Sequence, residues 1–350
     1  MASRASGVSE GNAAKAQAAL ELMRSVGSVG TRATVLGLSQ LEGGWSRHTY
    51  ELTISDPEAS GSAGEYIVRV RPGDSVVDSD IGQEFRTYEL LVDEPIPTPS
   101  VDGFEAADDT PFGGPFFVMG RLPGHSVNVW RARDRNELAE NWEDSRSLAE
   151  DLVAHMATIH SMRPERLRDA VVSRTFRETV EHWRGIYEEI RLVRDPVVEE
   201  AYAWVLDNEP PPVAPRLVHG DYRIGNCLLD RGRITGVLDW ELSFVGDHRF
   251  DLGYMSLEYQ AGRFVSPGSP LLNAVADRDW FEQRYAELTG EIVDRSVVDV
   301  FAALGALMLF SIMGTGVRLY ADGETSDIRT AWGRYVFPGL RRDLVGLMGW

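Results

Sequence analysis

The run HGDYRIGNCLLDRGRITGVLDWE, from His219 to Glu241, constrains this chain more than any other feature. Two short apolar stretches, 226–229 and 234–238, flank Asp230-Arg231-Gly232, and β-prone runs on either side of such a turn predict a β-hairpin. Residues 215–218 form a short apolar lead-in. A hairpin returns the chain to the end from which it set out. Asn226 and Asp239 are therefore expected at one end, with Asp221 just upstream.

An Asp, an Asn five residues on and an Asp thirteen after that supply the oxygen groups that phosphoryl transfer from ATP requires. One carboxylate positions and deprotonates an acceptor hydroxyl, while an amide oxygen and a second carboxylate hold Mg²⁺ on the triphosphate. Asp221 takes the first role, and Asn226 and Asp239 the metal roles. His219-Gly220-Asp221 with Asn226 reproduces the kinase loop H-R-D-x-x-x-x-N, with Gly in place of Arg. His219 reads as a residue that orients the loop, since Asp221 already holds the base position.

The segments LVHGDYRIGN, VLDWE and GDHRFDLGY, the last at 246–254, resemble the aminoglycoside phosphotransferase and choline kinase group. Upstream, LEGGWSRHTYEL resembles that group's nucleotide loop, YIVRVRP its third strand, EFRTYELL its first lobe helix and FFVMGRLPG its hinge. The resemblance implies an α+β, two-lobed protein-kinase-like fold with a small β-rich N-lobe and a larger, mainly helical C-lobe. It implies ATP and Mg²⁺ as cofactors and a small-molecule hydroxyl as acceptor. The hinge backbone at Val118, Met119 and Gly120 is expected to bond the adenine. Asp251 is expected to hold the catalytic loop and Asp247 to cap the helix that begins beside it. RIGN followed by LDWEL and GDxxxDLGY is similar to the kinase domains associated with acyl-CoA dehydrogenases.

One departure is specific. Kinases place a lysine on the third strand to grip the α- and β-phosphates, but the only lysine here is Lys15, far upstream. In YIVRVRP, Ile67, Arg69 and Arg71 share one strand face and Val68 and Val70 the other. Arg69 stands at the matching place and is the expected phosphate ligand, with Arg71 the alternate; a guanidinium keeps the charge and forks toward two oxygens. Glu84 opens a helix with Phe85, Tyr88, Leu91 and Val92 at helical spacing, and is expected to pair with Arg69, with Glu89 the alternate. Gly43 and Gly44 let a backbone approach phosphates closely, and Ser46 and Arg47 are expected to add contacts.

The remaining pattern sets the organisation. An N-terminal lobe covers 1–120, with 1–12 expected to be disordered, and a catalytic and acceptor-binding lobe covers 121–350. A helix is expected over 13–23, strands over 33–38, 49–54, 66–70 and 115–119, and helices over 138–160, 176–193 and 197–206. Pro95, Pro97 and Pro99 mark a stiff connection. His160 closes a helical stripe as a packed or capping residue. The uncharged run 301–317 reads as a buried helix, being barely long enough to span a bilayer and interrupted by glycines.

A net charge of −19 disfavours nucleic-acid binding, which draws its affinity from clustered cations. The same field would attract a cationic acceptor. A single cysteine, Cys227, excludes an intrachain disulfide and suits a reducing, cytoplasmic location. No export signal or membrane segment is expected, and oligomeric state has no signature. An aminoglycoside or other aminated metabolite fits the charge as acceptor. A hydroxyacyl-CoA fits the dehydrogenase-associated pattern, with Arg131, Arg133 and Arg135 as a basic rim. A nucleotide-binding module without catalysis is the third reading, against which the intact Asp221, Asn226 and Asp239 weigh.

Overall fold

The computed structural model describes residues 10–41, 46–59, 63–73, 75, 77, 79–140, 146–162, 164–167, 170–262 and 271–350. The chain divides into two compact units, Met1–Val92 with Pro99–Leu122, and Asp93–Thr98 with Pro123–Trp350.

In the smaller unit, α1 (Glu10–Ser25) precedes β1 (Thr34–Gln40), β2 (His48–Ser55) and β3 (Gly64–Val70), followed by α2 (Ile81–Leu91), β4 (Val101–Glu105) and β5 (Phe116–Gly120). The strands form one antiparallel sheet in the order β1-β2-β3-β5-β4. Strand alternation gives the sheet two apolar faces. Tyr50, Leu52, Ile54, Val68, Val70, Phe116 and Val118 pack with Ala16, Ala19, Leu20 and Met23 of α1. Burial of each large side chain contributes about 1.5–3 kcal/mol, so this face holds α1 in place. Lys15 belongs to the same contact, donating to the Tyr50 hydroxyl at 2.9 Å. On the opposite face Phe117 meets Phe85 and Tyr88 of α2. Asp80 caps α2 by accepting from Gly82 N at 2.8 Å.

One expectation is corrected here, and one strand is added. The helix begins at Glu10, so 10–12 are ordered rather than disordered. The alanine-rich stretch after it favours propagation, and Ala16 and Ala19 anchor it. Strand β4 had no sequence expectation. It is half-buried on either side of Gly103, which is buried and, at φ +126°, breaks the alternation.

The larger unit is mainly helical. It contains β6 (His125–Ser126), α3 (Ala132–Glu140), α4 (Arg146–Ser161), α5 (Phe176–Ile190), α6 (Pro196–Asp207), β7 (Arg216–Val218), β8 (Cys227–Asp230), β9 (Arg233–Val237), β10 (Phe244–Gly246), α7 (Arg249–Ser256), α8 (Arg278–Thr289), α9 (Arg295–Asp322) and α10 (Gly333–Leu347). The helix expected over 138–160 is two, α3 and α4. α9 is long and apolar enough to cross a membrane, and 83% of its most apolar stretch is buried inside the unit. Its neighbours in the core include Val180 and Trp183 of α5, Ala201 and Val205 of α6, Phe250 and Tyr254 of α7, and Leu340 and Leu344 of α10. α7 lies backbone to backbone on α9 at Gly253, where a Cβ would come within 2.5 Å of Ala302 N. That close contact fixes α7, which carries Asp251.

Candidate active site

The expected hairpin forms. β8 and β9 are antiparallel, Asp230 opposes Arg233, and the two turn residues Arg231 and Gly232 have φ of 50° and 73°. Positive φ at both central positions is the turn geometry that suits the strands' twist. At the open end Leu238 N donates to Asn226 O at 2.9 Å, which brings Asn226 beside the residue preceding Asp239. Asn226 itself closes a short 3₁₀ turn, Ile224–Asn226, ahead of β8.

Asp221 and Asn226 touch. Asn226 Nδ2 donates to Asp221 Oδ2 at 2.7 Å and to Asp221 O at 2.9 Å. With the amide nitrogen committed to Asp221, Oδ1 is the atom of Asn226 suited to a cation. Asp239 has φ 70° and ψ 56°, a left-handed conformation that a non-glycine residue holds at a strain of roughly 1–3 kcal/mol. Such strain persists where surrounding structure imposes it, here Trp240, fully buried with Nε1 donating to Val237 O at 3.2 Å. Among the described residues no three His, Cys, Asp or Glu side chains gather into a metal cluster. Asn226 and Asp239 would offer one amide and one carboxylate oxygen. That suits Mg²⁺, which keeps waters and binds through one or two carboxylates plus substrate phosphates.

The loop ahead of the hairpin is held from below. Asp251, fully buried on α7, accepts from His219 N at 2.8 Å through Oδ2 and from Gly220 N at 2.9 Å through Oδ1. His160 Nε2 lies 3.1 Å from Asp251 Oδ2, and its Nδ1 lies 2.8 Å from the Tyr285 hydroxyl. His160 thus packs beneath the loop. His219 Nδ1 accepts from Asp221 N at 3.2 Å, so Nε2 is the nitrogen that donates, to Leu238 O at 3.0 Å. One ring therefore ties the Asp221 backbone to the residue before Asp239. Gly220 has φ +83°, and a Cβ there would lie 2.3 Å from Leu242 O. This explains Gly where protein kinases carry Arg. Asp247 Oδ1 accepts from Arg249 N at 3.1 Å, in the first turn of α7.

Sequence reasoning did not identify the groups around the Asp221 carboxylate. Arg223 Nε donates to Asp221 Oδ1 at 3.0 Å. Burial alone would pull the Arg223 guanidinium down, but the charge of Asp221 and the neighbouring Tyr254 and Tyr259 hold it above its ordinary range. Burial, then the Asp221 charge, pushes the Tyr254 phenol well up. Burial likewise raises Tyr259, whose ring packs on Trp130 with centroids 4.5 Å apart. The placement of Arg223 two residues after Asp221 was the one available signal; the tyrosines had none. Cys227 is buried and its thiol is pushed up to about 12 by burial, which makes it inert.

In the smaller unit Arg69 Nη2 meets Glu84 Oε1 at 2.8 Å. Glu84 is fully buried, and its Oε2 also takes Arg47 Nε at 3.3 Å. Arg47, expected to contact phosphates, instead points inward: it is 2% exposed and its Nη2 donates to Ser79 Oγ at 2.5 Å. The adjacent Ser46 is buried, and its carbonyl accepts from Ser75 Oγ at 2.9 Å. Gly43 and Gly44 lie outside the described residues. In β5 the Val118 side chain sits in the α1-facing core and Met119 is 5% exposed. The amides of Gly120 and Arg121 donate to Ser100 O and Glu65 O at 2.9 and 3.1 Å. Those two donors are therefore taken by the sheet.

Known proteins resemble this chain in sequence and fold. A family profile described as Phosphotransferase enzyme family matches residues 37–290. Acyl-CoA dehydrogenase family member 10 of Mus musculus is 25% identical over 261 residues, covering 72% of this chain and 23% of that protein. The chain thus spans about a quarter of that relative. Among solved structures, a Ralstonia eutropha protein, provisionally named an aminoglycoside phosphotransferase, superposes with TM-score 0.71 at 20% identity, covering 95% of this chain and 98% of its own. A thermostable mutant of aminoglycoside phosphotransferase APH(4)-Ia, in ternary complex with AMP-PNP and hygromycin B, superposes with TM-score 0.57 at 18% identity, covering 89% and 94%. These likenesses establish a protein-kinase-like fold, with its five-stranded antiparallel sheet followed by a mainly helical region. With its profile matched from strand β1 through the end of α8, the chain belongs to the phosphotransferase enzyme family.

Proposed function

We propose that the protein transfers the γ-phosphoryl group of ATP to a hydroxyl of a small molecule. The observation that carries this reading is the joining of Asp221 and Asn226 at 2.7 Å at the open end of a hairpin whose other strand leads into Asp239. Asp221 orients the acceptor hydroxyl and takes its proton at the carboxylate. Its carboxylate already accepts from Arg223 and Asn226, and the phosphoryl transition state is loose, so placement contributes more than proton abstraction. Arg223 keeps its terminal nitrogens clear of protein hydrogen bonds in the described residues, and offers positive charge beside the transferring group. Asn226 Oδ1 and the Asp239 carboxylate would hold the metal. When bound, Mg²⁺ would neutralise phosphate charge. Arg69 grips phosphates, with Glu84 holding its guanidinium in place and Arg47 bracing Glu84 from the other side.

Two acceptor classes have support. The net charge of −19 and the hygromycin-bound neighbour favour an aminated acceptor. The similarity to the mouse dehydrogenase family member favours a hydroxyacyl-CoA, for which Arg131 and Arg133 are exposed cations while Arg135 is tied to Val129 O at 2.8 Å. An acceptor panel containing both classes, read by ADP release, tests the reading and separates the two. Release without dependence on any acceptor hydroxyl would reduce it to a nucleotide hydrolase.

A further inference from the structure

The turn between Asp221 and Asn226 is anchored by a residue far along the chain. Asn273 Oδ1 accepts from Ile224 N at 2.9 Å, and Asn273 Nδ2 donates to Met255 O at 3.0 Å. A backbone N–H can only donate and a carbonyl can only accept, so these partners fix which way the amide faces. The side chain is wholly buried. Its own backbone is strained: Asn273 and Ala274 have φ of 50° and 62°, consecutive left-handed residues without a glycine.

That strain is imposed by a closed turn. Leu272 N donates to Ala276 O at 2.6 Å, Ala276 N returns to Leu272 O at 3.1 Å, and residues 272–276 are all buried. A rigid turn in a conformation disfavoured for its residues delivers one amide into the core.

The target of that amide is specific. Ile224 opens the 3₁₀ turn that ends in Asn226, whose N–H bonds Arg223 O at 2.9 Å. Asp251 holds the loop at His219 and Gly220, ahead of Asp221, while Asn273 holds it beyond Asp221. The two anchors bracket Asp221. Removing the second leaves Asp221 backed by Asp251 but frees the turn that presents Asn226.

We infer that Asn273 is a positioning residue for the metal ligand Asn226, acting through Ile224 N. This rests on the phosphotransferase reading above. Its loss affects the Mg²⁺ requirement more than the affinity for ATP, and the bond to Ile224, not the bond to Met255, carries that effect.

Two variants separate the bonds. Asn273→Gly suits the left-handed backbone but removes both hydrogen bonds. Asn273→Asp keeps the acceptor for Ile224 N and sets a carboxylate against Met255 O, at a loss of stability. Intrinsic ATP hydrolysis is measured against Mg²⁺ at saturating ATP and against ATP at saturating Mg²⁺, together with thermal melting. The half-saturating Mg²⁺ concentration is expected to rise about tenfold in Asn273→Gly, with ATP half-saturation moving less than about threefold; tenfold corresponds to about 1.4 kcal/mol. Asn273→Asp is expected to melt lower yet keep its Mg²⁺ requirement near the parent's. A purely structural role would make the Mg²⁺ defect follow the loss of melting temperature in both variants, and that result overturns the inference. An unshifted Mg²⁺ requirement in Asn273→Gly overturns it as well. If Asn273→Gly fails to fold, a Mg²⁺ requirement in Asn273→Asp raised tenfold does the same. Absence of Mg²⁺-dependent turnover in the parent, both with the acceptor panel and without it, overturns the phosphotransferase reading and this inference with it.

Discussion

Glu84 joins Arg69 through Oε1 at 2.8 Å, and the same carboxylate holds Arg47 through Oε2 at 3.3 Å. In kinases a strand lysine and a helix glutamate form the pair that places the phosphate-binding cation. Here two arginines share one buried carboxylate, and the chain's only lysine packs against Tyr50.

This sharing makes Glu84 the most sensitive of the three. Glu84→Ala removes the buried carboxylate that both guanidinium groups meet, and is expected to destabilise the protein by about 3–5 kcal/mol. Arg69→Ala is expected to weaken MgATP binding about tenfold or more, and Arg69→Lys to recover only part, because an ammonium lacks the fork. In a double-mutant cycle Arg69 and Glu84 should couple by about 0.5–3 kcal/mol. Calorimetry with MgATP checks the affinities and denaturant melts the stabilities. Full additivity would remove the pair from the nucleotide grip.

Gly220 and Gly232 both have positive φ, but only Gly220 is crowded: a Cβ there meets Leu242 O at 2.3 Å, whereas at Gly232 nothing lies within 4 Å. Gly232→Ala is expected to cost about 1 kcal/mol, from backbone strain alone. Gly220→Ala is expected to cost more, roughly 1–3 kcal/mol or above, and to lower turnover because it displaces the Asp221 loop. Thermal melts beside turnover assays check both. Equal effects at the two sites would contradict the account of Gly220.

The parts of the site that lay close together in sequence were legible there. The spacing of Asp221, Asn226 and Asp239, and the Arg231-Gly232 turn between the hairpin strands, are local patterns, and alternation in β3 placed Arg69 on the face that α2 covers. What escaped was long-range. Arg47 meets Glu84 across 37 positions and Asn273 meets Ile224 across 49, and nothing local in either neighbourhood announces the partner. The polar flanks of β4 hid a strand whose pairing comes from β5. Arg47 sat where a loop contact was expected, and only the burial of Glu84 shows why it turns inward.

Acid should weaken the fold partly through His248. Burial, and then the nearby His160, hold its imidazole below the ordinary value, with Glu291 opposing them. An unfolded chain takes up a proton near 6.5, while the folded one does so only at lower pH. The stability this group contributes is thus complete above about pH 6.5 and is lost as pH falls from there through the folded value, at no more than about 1.4 kcal/mol per pH unit. His248→Gln is expected to flatten the fall in melting temperature between pH 7 and 5. An unchanged slope would assign that fall to other groups, among them His155, whose imidazole burial also lowers.

In the proposed reaction Asp221 directs phosphoryl transfer to an acceptor hydroxyl. The most direct test is acceptor-dependent ADP release, compared between the parent protein and Asp221→Asn, with MgATP affinity measured alongside. Acceptor-dependent release is expected in the parent, with a fall of about 10²–10⁴-fold in Asp221→Asn and MgATP affinity within about threefold. Acceptor-dependent release that persists near the parent rate in Asp221→Asn would contradict that role of Asp221.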